Sequence, residues 1–220
     1  MPAASTRPTI LLTGFEPFDG DDSNPSQAIV RALDGQTVAG HRIVGQELPV
    51  AFGESLRVLR LALRRARPVL VVCLGQAGGR DAISLERVAI NVDDARIPDN
   101  TGAQPIDTPV VARGPTAYFS TLPIKAMTRA VASAGIPAAV SQTAGTFVCN
   151  HVFYGLMQAL RRRPGVRGGF VHVPWSDVQA ARRPGQPGLP LAAMVDGIRI
   201  ALEAAIAHPV DVAIPAGAEH

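Results

Sequence analysis

The residue best suited to chemistry is Cys149, which follows a turn of small residues at 143–146 and precedes apolar residues at helical spacing. Pro164-Gly165 predict the end of that helix. A cysteine in the first turn of a helix lies near unpaired backbone N–H groups and the positive end of the helix dipole, which favour the thiolate. We therefore expect the Cys149 thiol to have a lowered pKa and to act as a nucleophile. The alternative is a small, buried apolar side chain.

The other cysteine, Cys73, lies inside the apolar run at 69–74, which is typical of a strand covered on both faces. Burial without a neighbouring base raises the pKa of a thiol, so we interpret Cys73 as structural. Two cysteines at this spacing suggest neither a disulfide framework nor a metal site.

A nucleophilic cysteine needs a base, normally a histidine. His172 lies near the end of a short apolar strand, and the sequence leaves it open between a base and a core histidine. His151 is two residues from Cys149 on the predicted helix, so it should point away from the sulfur. The other histidines are expected at the surface: His41, His208 and His220.

The group that orients the base could be one of four carboxylates: Glu86, Asp93, Asp94 or Asp99. Glu86 interrupts a β-like stretch at 83–92, so its carboxylate should be paired. Its partner could be Arg87 or Arg96, which would be a structural role, or the histidine. Spacing alone leaves these alternatives open.

Short apolar runs alternate with helical patterns along the chain. Strands are predicted at 9–13, 41–48, 69–74, 83–92, 138–141 and 169–173, and helices at 24–34, 53–65, 122–134, 149–163 and 189–207. This order predicts an α/β/α sandwich with a largely parallel central sheet, whose active site lies at the carboxyl ends of the strands. Phe15, Gln76, Cys149 and His172 all fall at or just past such ends. The long irregular segment 93–115 is of a length that is usually functional.

The 220 residues suit a single domain, with loose termini at 1–8 and 209–220. The arginine groups at predicted helix ends favour a solvated surface over a nucleic-acid site. The glycines at 75–79 do not form a dinucleotide-binding pattern. The chain has no apolar run typical of a signal peptide or a membrane span, so we expect no membrane partner and a cytoplasmic, reducing location.

Five blocks together resemble the pyroglutamyl-peptidase I family of cysteine exopeptidases, also called pyrrolidone-carboxylate peptidases. They are TGFEPFDG with the following NPS, LGQAGGR, ERVAINVDDARIPDNTG, SQTAGTFVCN and GGFVHVPW, and they span about three quarters of the chain. The resemblance implies an α/β/α sandwich and hydrolysis of an N-terminal pyroglutamyl (5-oxoprolyl) residue through a thioester. It implies no metal or organic cofactor, and a homo-oligomer is a further possibility. The alternatives are an inactive 5-oxoproline-binding protein or a nucleoside-phosphorylase-like enzyme on a similar sandwich.

The resemblance also implies roles for individual residues. Its catalytic triad maps onto Cys149, His172 and Glu86, which selects one of the four carboxylates. Arg96 matches an arginine beside the nucleophile that supports the oxyanion. The substrate-binding positions are Phe15 and Phe18, which flank the lactam ring, and two polar residues, Gln76 and Asn24. The sequence departs from the family pattern at Phe147 and Trp175, where tyrosine is common.

Overall fold

The computed structural model describes residues 7–217 and has a central sheet flanked by helices. The strands are β1 (Thr9–Phe15), β2 (Thr37–Val38), β3 (His41–Leu48), β4 (Leu70–Gln76), β5 (Ile83–Glu86), β6 (Val88–Ile90), β7 (Ala117–Phe119), β8 (Ala138–Ser141) and β9 (Arg167–Val173). The helices are α1 (Pro25–Leu33), α2 (Glu54–Ala66), α3 (Ile124–Ser133), α4 (Val148–Leu160), α5 (Asp177–Ala181) and α6 (Leu191–Ala207). Apart from the stretch 83–92, every predicted strand and helix is confirmed to within a few residues.

Within the described residues, the central sheet has the strand order β2-β3-β1-β4-β9-β5-β8. Strands β3, β1, β4 and β9 are parallel neighbours, which confirms the largely parallel α/β sheet. Strand β5 runs antiparallel to β9 and parallel to β8, and β2 is antiparallel to β3. The carboxyl end of β5 therefore does not lie at the same edge as those of β4 and β9.

Alternation along the strands divides the core into two apolar clusters, one on each face of the sheet. Val72 and Leu74 of β4 and Val171 of β9 belong to the cluster that α1, α3 and α6 cover. The intervening residues of these strands face the opposite way, because successive side chains of a strand point to opposite faces of its sheet.

The second cluster contains Cys73 of β4 and Phe170 of β9 and is covered by α2 and α4. By the same alternation, Gly75, Glu86 and His172 share the α4 face with these two residues. The pleat of the sheet thus directs the side chains of Glu86 and His172 toward α4, the helix that carries Cys149.

The stretch predicted as one strand at 83–92 is interrupted at Arg87. Strand β5 ends at Glu86, and β6 leaves the central sheet to pair with β7 in a separate two-stranded sheet. The backbone N–H of Arg87 still donates to Ser141 O at 2.9 Å, while its carbonyl accepts from Ser120 N at 2.8 Å. The break lets one chain segment serve two sheets.

The irregular segment 93–115 is held by local hydrogen bonds. Asp93 and Thr108 exchange backbone hydrogen bonds of 2.7 and 3.0 Å. The Asp99 carboxylate accepts from the backbone N–H groups of Phe52, Thr101 and Ala103. Burial raises the pKa of Asp99, but these N–H donors and the Thr101 hydroxyl outweigh it, and the pKa is lowered. The segment is also joined to the turn before Cys149, because Thr146 Oγ1 donates to Asp94 O at 2.7 Å.

The predicted loose termini are partly described. Residues 1–6 and 218–220 lie outside the described residues. Near the amino terminus, Arg42 N donates to Pro8 O at 3.0 Å. Near the carboxyl terminus, the Asp211 carboxylate accepts from the backbone N–H groups of Lys125 and Ala126 at 3.1 and 3.0 Å. Residues 209–217 therefore reach the first turn of α3, where a carboxylate complements the helix dipole.

Candidate active site

Cys149 is the second residue of α4, and its sulfur lies against the backbone of β4. A β-carbon placed on Gly75 would be 2.7 Å from Cys149 Sγ and 2.8 Å from Phe170 Cζ. The register of β4 and β9 sets Gly75 opposite His172. Because Gly75 has no side chain, the Cys149 sulfur has room to lie beside β4, next to the strand that carries His172.

The amino end of α4 offers unpaired backbone donors. No side chain caps this helix, and its first helical hydrogen bond in the described chain runs from His151 N to Phe147 O at 3.1 Å. The N–H groups of Val148, Cys149 and Asn150 precede that bond, and such groups carry the positive end of the helix dipole. They form a site that suits a developing negative charge.

His172 and Glu86 form a buried hydrogen-bonded pair, with Nδ1 of the imidazole 2.7 Å from Glu86 Oε1. Both residues are almost fully buried. The antiparallel register sets Ser84, not Glu86, opposite His172. Glu86 therefore reaches the imidazole diagonally, two residues further along β5 on the same face. With Nδ1 donating to the carboxylate, Nε2 is left as the basic nitrogen.

Arg80 is a member of this cluster that the sequence alone does not single out. Its Nη1 donates to Glu86 Oε1 at 2.6 Å and its Nη2 to Thr143 O at 3.0 Å. One oxygen of Glu86 thus accepts from both Arg80 and His172, while Oε2 has no hydrogen-bond partner within residues 7–217. The quoted block LGQAGGR contains Arg80, but nothing in its spacing indicates an ion pair with Glu86.

The electrostatics of the pair favour a carboxylate and a neutral imidazole. Burial raises the pKa of Glu86, but the hydrogen bond from His172 and the charge of the Arg80 guanidinium oppose it, so the pKa is lowered. Burial lowers the pKa of His172 below its ordinary value of 6.5, although Glu86 acts in the opposite direction. A neutral imidazole near pH 7 can accept a proton at Nε2.

The predicted low pKa of Cys149 is wrong. Burial raises the pKa of this thiol to about 12, and the charge of Glu86 adds to the rise, whereas the charge of Arg80 opposes it. Burial also raises the pKa of Cys73 to about 12, which confirms that prediction. The two residues differ instead in their surroundings, since Cys73 is enclosed in the core, whereas Cys149 is partly exposed as a residue and lines a pocket.

Cys149 borders a small inner pocket with the predicted substrate-binding residues. Its lining includes Phe15, Phe18, Gln76 and Asn24 as well as Cys149. The volume open to the centre of a water-sized sphere is about 10 Å³, roughly the smallest space that holds one water molecule and too little for a lactam ring. Phe18 stacks at a tilt on Phe147 with a centroid distance of 6.2 Å. Entry of a ring into this pocket requires these partly exposed aromatic side chains to move.

Asn24 lines the inner pocket, but its carboxamide is largely used inside the protein. Its Oδ1 accepts from Ser26 N and Ser26 Oγ at 3.0 and 2.8 Å, which makes it the cap of α1. Its Nδ2 donates to Glu16 O at 3.0 Å. One N–H of the carboxamide remains for another acceptor.

A larger cleft of about 410 Å³ adjoins the inner pocket, with which it shares Phe18, Gln76 and Phe147. Arg96 is exposed and lines this outer cleft. Arg80, not Arg96, is the arginine whose charge acts on the Cys149 thiol.

Comparisons with known proteins identify the family of the chain. A family model described as Pyroglutamyl peptidase matches residues 8–208. The chain belongs to the pyroglutamyl peptidase family. The pyrrolidone-carboxylate peptidase of Cupriavidus taiwanensis is 58% identical over 215 residues, covering 97% of this chain and 100% of that protein. That of Klebsiella pneumoniae is 56% identical over 211 residues, covering 96% and 99%.

Solved structures of pyroglutamyl peptidases have the same fold. Pyroglutamyl peptidase I from Bacillus amyloliquefaciens superposes with a TM-score of 0.91 at 46% identity, covering 93% of this chain and 100% of that one. Pyrrolidone carboxyl peptidase from Thermococcus litoralis also gives a TM-score of 0.91, at 34% identity, covering 94% and 99%. These matches show that the chain is a cysteine peptidase of this family with its α/β fold.

A second histidine–carboxylate pair lies close to the candidate site. His151 Nδ1 is 2.8 Å from Asp93 Oδ2, and its Nε2 accepts from Gly53 N at 2.9 Å. Both ring nitrogens are thus occupied by partners other than Cys149, which agrees with the predicted direction of His151. Of the other candidate carboxylates, Asp99 accepts from backbone N–H groups and Asp94 is exposed.

Two absences hold for the part of the chain that the structure describes. None of its helices has the length and hydropathy needed to cross a bilayer. Nor do three or more His, Cys, Asp or Glu side chains converge there as metal ligands.

Proposed function

We propose that Cys149 is the nucleophile with which this member of the pyroglutamyl peptidase family removes N-terminal pyroglutamate from peptides. The observation that carries the proposal is the position of Cys149 Sγ between the inner pocket and the strand that holds His172. A sulfur with a pocket on one side and a base on the other can attack a carbonyl bound in that pocket.

His172 is proposed as the general base and Glu86 as the group that orients it. His172 Nε2 takes the proton of the Cys149 thiol as the sulfur attacks the pyroglutamyl carbonyl carbon. When the tetrahedral intermediate collapses, the C–N bond breaks and His172 gives its proton to the leaving amine. Water then attacks the thioester and loses a proton to His172. When the C–S bond breaks, His172 returns that proton to the Cys149 sulfur and free pyroglutamate is released.

The high thiol pKa favours proton transfer during attack over a preformed thiolate. The first-turn N–H groups of α4 are proposed to hold the oxyanion, since they carry no helical partner. Arg96 is proposed to assist from the outer cleft, where its exposed guanidinium can approach a bound peptide.

The inner pocket suits a lactam ring and rejects an ordinary amino terminus. Phe15 and Phe18 supply flat apolar walls, and Gln76 supplies amide hydrogen-bonding groups. A lactam offers one N–H and one C=O and carries no charge. An ammonium group would lose its hydration here without gaining a carboxylate partner, which costs several kcal/mol.

The test compares release of a fluorophore from a pyroglutamyl amide and from a prolyl amide. We expect the wild type and Cys73→Ala to hydrolyse the first alone, and Cys149→Ala to hydrolyse neither. Activity that survives in Cys149→Ala would overturn the mechanism. Tight binding of 5-oxoproline without turnover by folded, reduced wild type would favour a binding protein instead.

We also propose a cytoplasmic location and self-association into a homo-oligomer. The location is supported by the two free thiols, which persist in a reducing compartment. Fractionation of cells tests the first, and sedimentation of the purified chain tests the second.

A further inference from the structure

The carboxamide of Gln76 is held from two sides. Gln179 Nε2 donates to Gln76 Oε1 at 3.0 Å, and Gln76 Nε2 donates to Asp21 Oδ2 at 3.3 Å. Gln76 and Gln179 are 8% and 3% exposed. We propose that Gln179 is a positioning residue that fixes the amide of Gln76 toward the substrate lactam. The inference rests on the proposed role of Gln76 in substrate binding.

The direction of each amide follows from the groups at the two ends of the network. Ser176 N donates to Gln179 Oε1 at 3.1 Å, so the amino group of Gln179 must face the other way. That amino group also donates to Ser23 O at 3.1 Å. At the far end, the Asp21 carboxylate can only accept, so the amino group of Gln76 must face it. If the Gln76 carboxamide were turned over, its amino group would face the amino group of Gln179 and its oxygen would face the carboxylate of Asp21.

Asp21 is itself fixed. Its Oδ1 is paired with Arg183, whose guanidinium lies 4.6 Å from the centre of the Trp175 ring. The acceptor that defines the direction of the Gln76 amide is therefore held by an ion pair and a cation–π contact.

A fixed amide matters because the lactam has one donor and one acceptor. With Gln179 and Asp21 in place, Gln76 retains one N–H and one lone pair of fixed direction. A substrate lactam can use these, whereas a prolyl end has no ring C=O. A site built to hydrogen-bond a group rejects the analogue that lacks it. Gln179 would thus set selectivity without touching substrate.

The experiment uses Gln179→Glu with Ser176→Ala as its matched control. Ser176 and Gln179 form the capping box of α5, in which Ser176 Oγ accepts from Gln179 N at 3.2 Å. Glutamate is common at this capping-box position, so Gln179→Glu keeps the acceptor for Ser176 N. It removes the amino group that donates to Gln76 Oε1, to Ser23 O and, at 3.3 Å, to Asp21 Oδ2. Ser176→Ala removes the cap and the 3.2 Å hydrogen bond from Ser176 Oγ to Gln179 Oε1, but it keeps the bond from Ser176 N to that oxygen and the donor to Gln76.

We expect Gln179→Glu to raise KM for the pyroglutamyl amide by about tenfold with little change in kcat. Ser176→Ala should lower Tm and leave KM unchanged. Gln179→Met, which removes the amide and keeps the side-chain length, should repeat the KM effect if Gln179→Glu does not fold. An equal rise in KM for Ser176→Ala would overturn the inference, because the effect would then belong to the helix.

Gln76→Leu separates this inference from the proposed role of Gln76. If Gln76→Leu raises KM and the Gln179 variants do not, the positioning role is overturned while Gln76 keeps its own role. If Gln76→Leu leaves KM unchanged, both are overturned, although wild-type turnover would still support the peptidase activity. A rise in KM for both, with Ser176→Ala unaffected, supports the inference.

Discussion

The sulfur of Cys149 lies only 2.7 Å from the position that a β-carbon on Gly75 would take. Gly75 is on the α4 face of β4 and is paired in register with His172 of β9. Any larger residue would have to displace the sulfur, the ring of Phe170, or both. The glycine is therefore part of how the fold brings a helix-borne thiol to a strand-borne histidine.

Gly75→Ala should lower kcat/KM by about 10²-fold or more, because a displacement of about 1 Å at a reacting atom has costs of this size. Gly168→Ala, on β9 of the same sheet, is the control. A β-carbon on Gly168 would lie 2.6 Å from Cδ1 of Leu160 on α4, so the crowding is similar but lies away from the sulfur. Both variants should lose about 1–3 kcal/mol of unfolding free energy through overpacking. Steady-state kinetics and urea unfolding measure the two effects. Equal activity of the two variants would contradict the role given to Gly75.

Alkylation should report the raised pKa of Cys149. Burial and the charge of Glu86 raise that pKa to about 12, so the free enzyme holds a thiol at neutral pH. The rate of iodoacetamide modification should then rise about tenfold per pH unit between roughly pH 7 and 9, because the thiolate is the nucleophile. Mass spectrometry follows each site, and the fully buried Cys73 should stay unmodified in the folded protein. A fast rate that is constant above neutral pH would indicate a low pKa instead.

The sequence predicts the strands and helices well because apolar residues alternate or recur at regular spacing. It leaves Glu86 undecided because the approach of Glu86 to His172 depends on the antiparallel direction of β5, which chain order does not reveal. The pKa of Cys149 is mispredicted because burial outweighs the helix terminus. Gln179 goes unnoticed because α5, at five residues, is too short to show a helical period.

Glu86→Gln should reduce kcat/KM and move the acid limb of its pH profile to lower pH. The hydrogen bond and charge of Glu86 raise the pKa of His172, while burial lowers it below 6.5. The wild-type rate should therefore fall only as the pH drops below 6.5, when the base becomes protonated. Removing the charge lowers that pKa further, so the limb moves to lower pH while the plateau falls by about 10- to 10²-fold.

Asp93→Asn is the control for this pH profile. Asp93 is also a buried carboxylate paired with a histidine, but its partner is His151. We expect the acid limb of this variant to match the wild type. A limb that moves in Asp93→Asn and stays in Glu86→Gln would assign the orienting carboxylate to Asp93.

His151→Leu should affect stability more than chemistry. The ring joins α4 to the start of α2, since its nitrogens bond Asp93 and Gly53 N. It is also nearly perpendicular to the ring of Phe52, with a centroid distance of 5.3 Å. Leucine would leave a buried carboxylate and a backbone donor without partners, which costs about 1–3 kcal/mol for each group.

Urea unfolding and the pH dependence of kcat/KM should be measured for His151→Leu beside His172→Gln. We expect His151→Leu to unfold at lower urea concentration and to keep the wild-type acid limb. His172→Gln should lose activity by about 10³-fold or more, because no other imidazole faces the sulfur in the proposed mechanism. The reverse result, with activity lost in a stable His151→Leu and retained in His172→Gln, would make His151 the base. The thiol proton would then pass to a histidine on α4 itself and not to the histidine on β9.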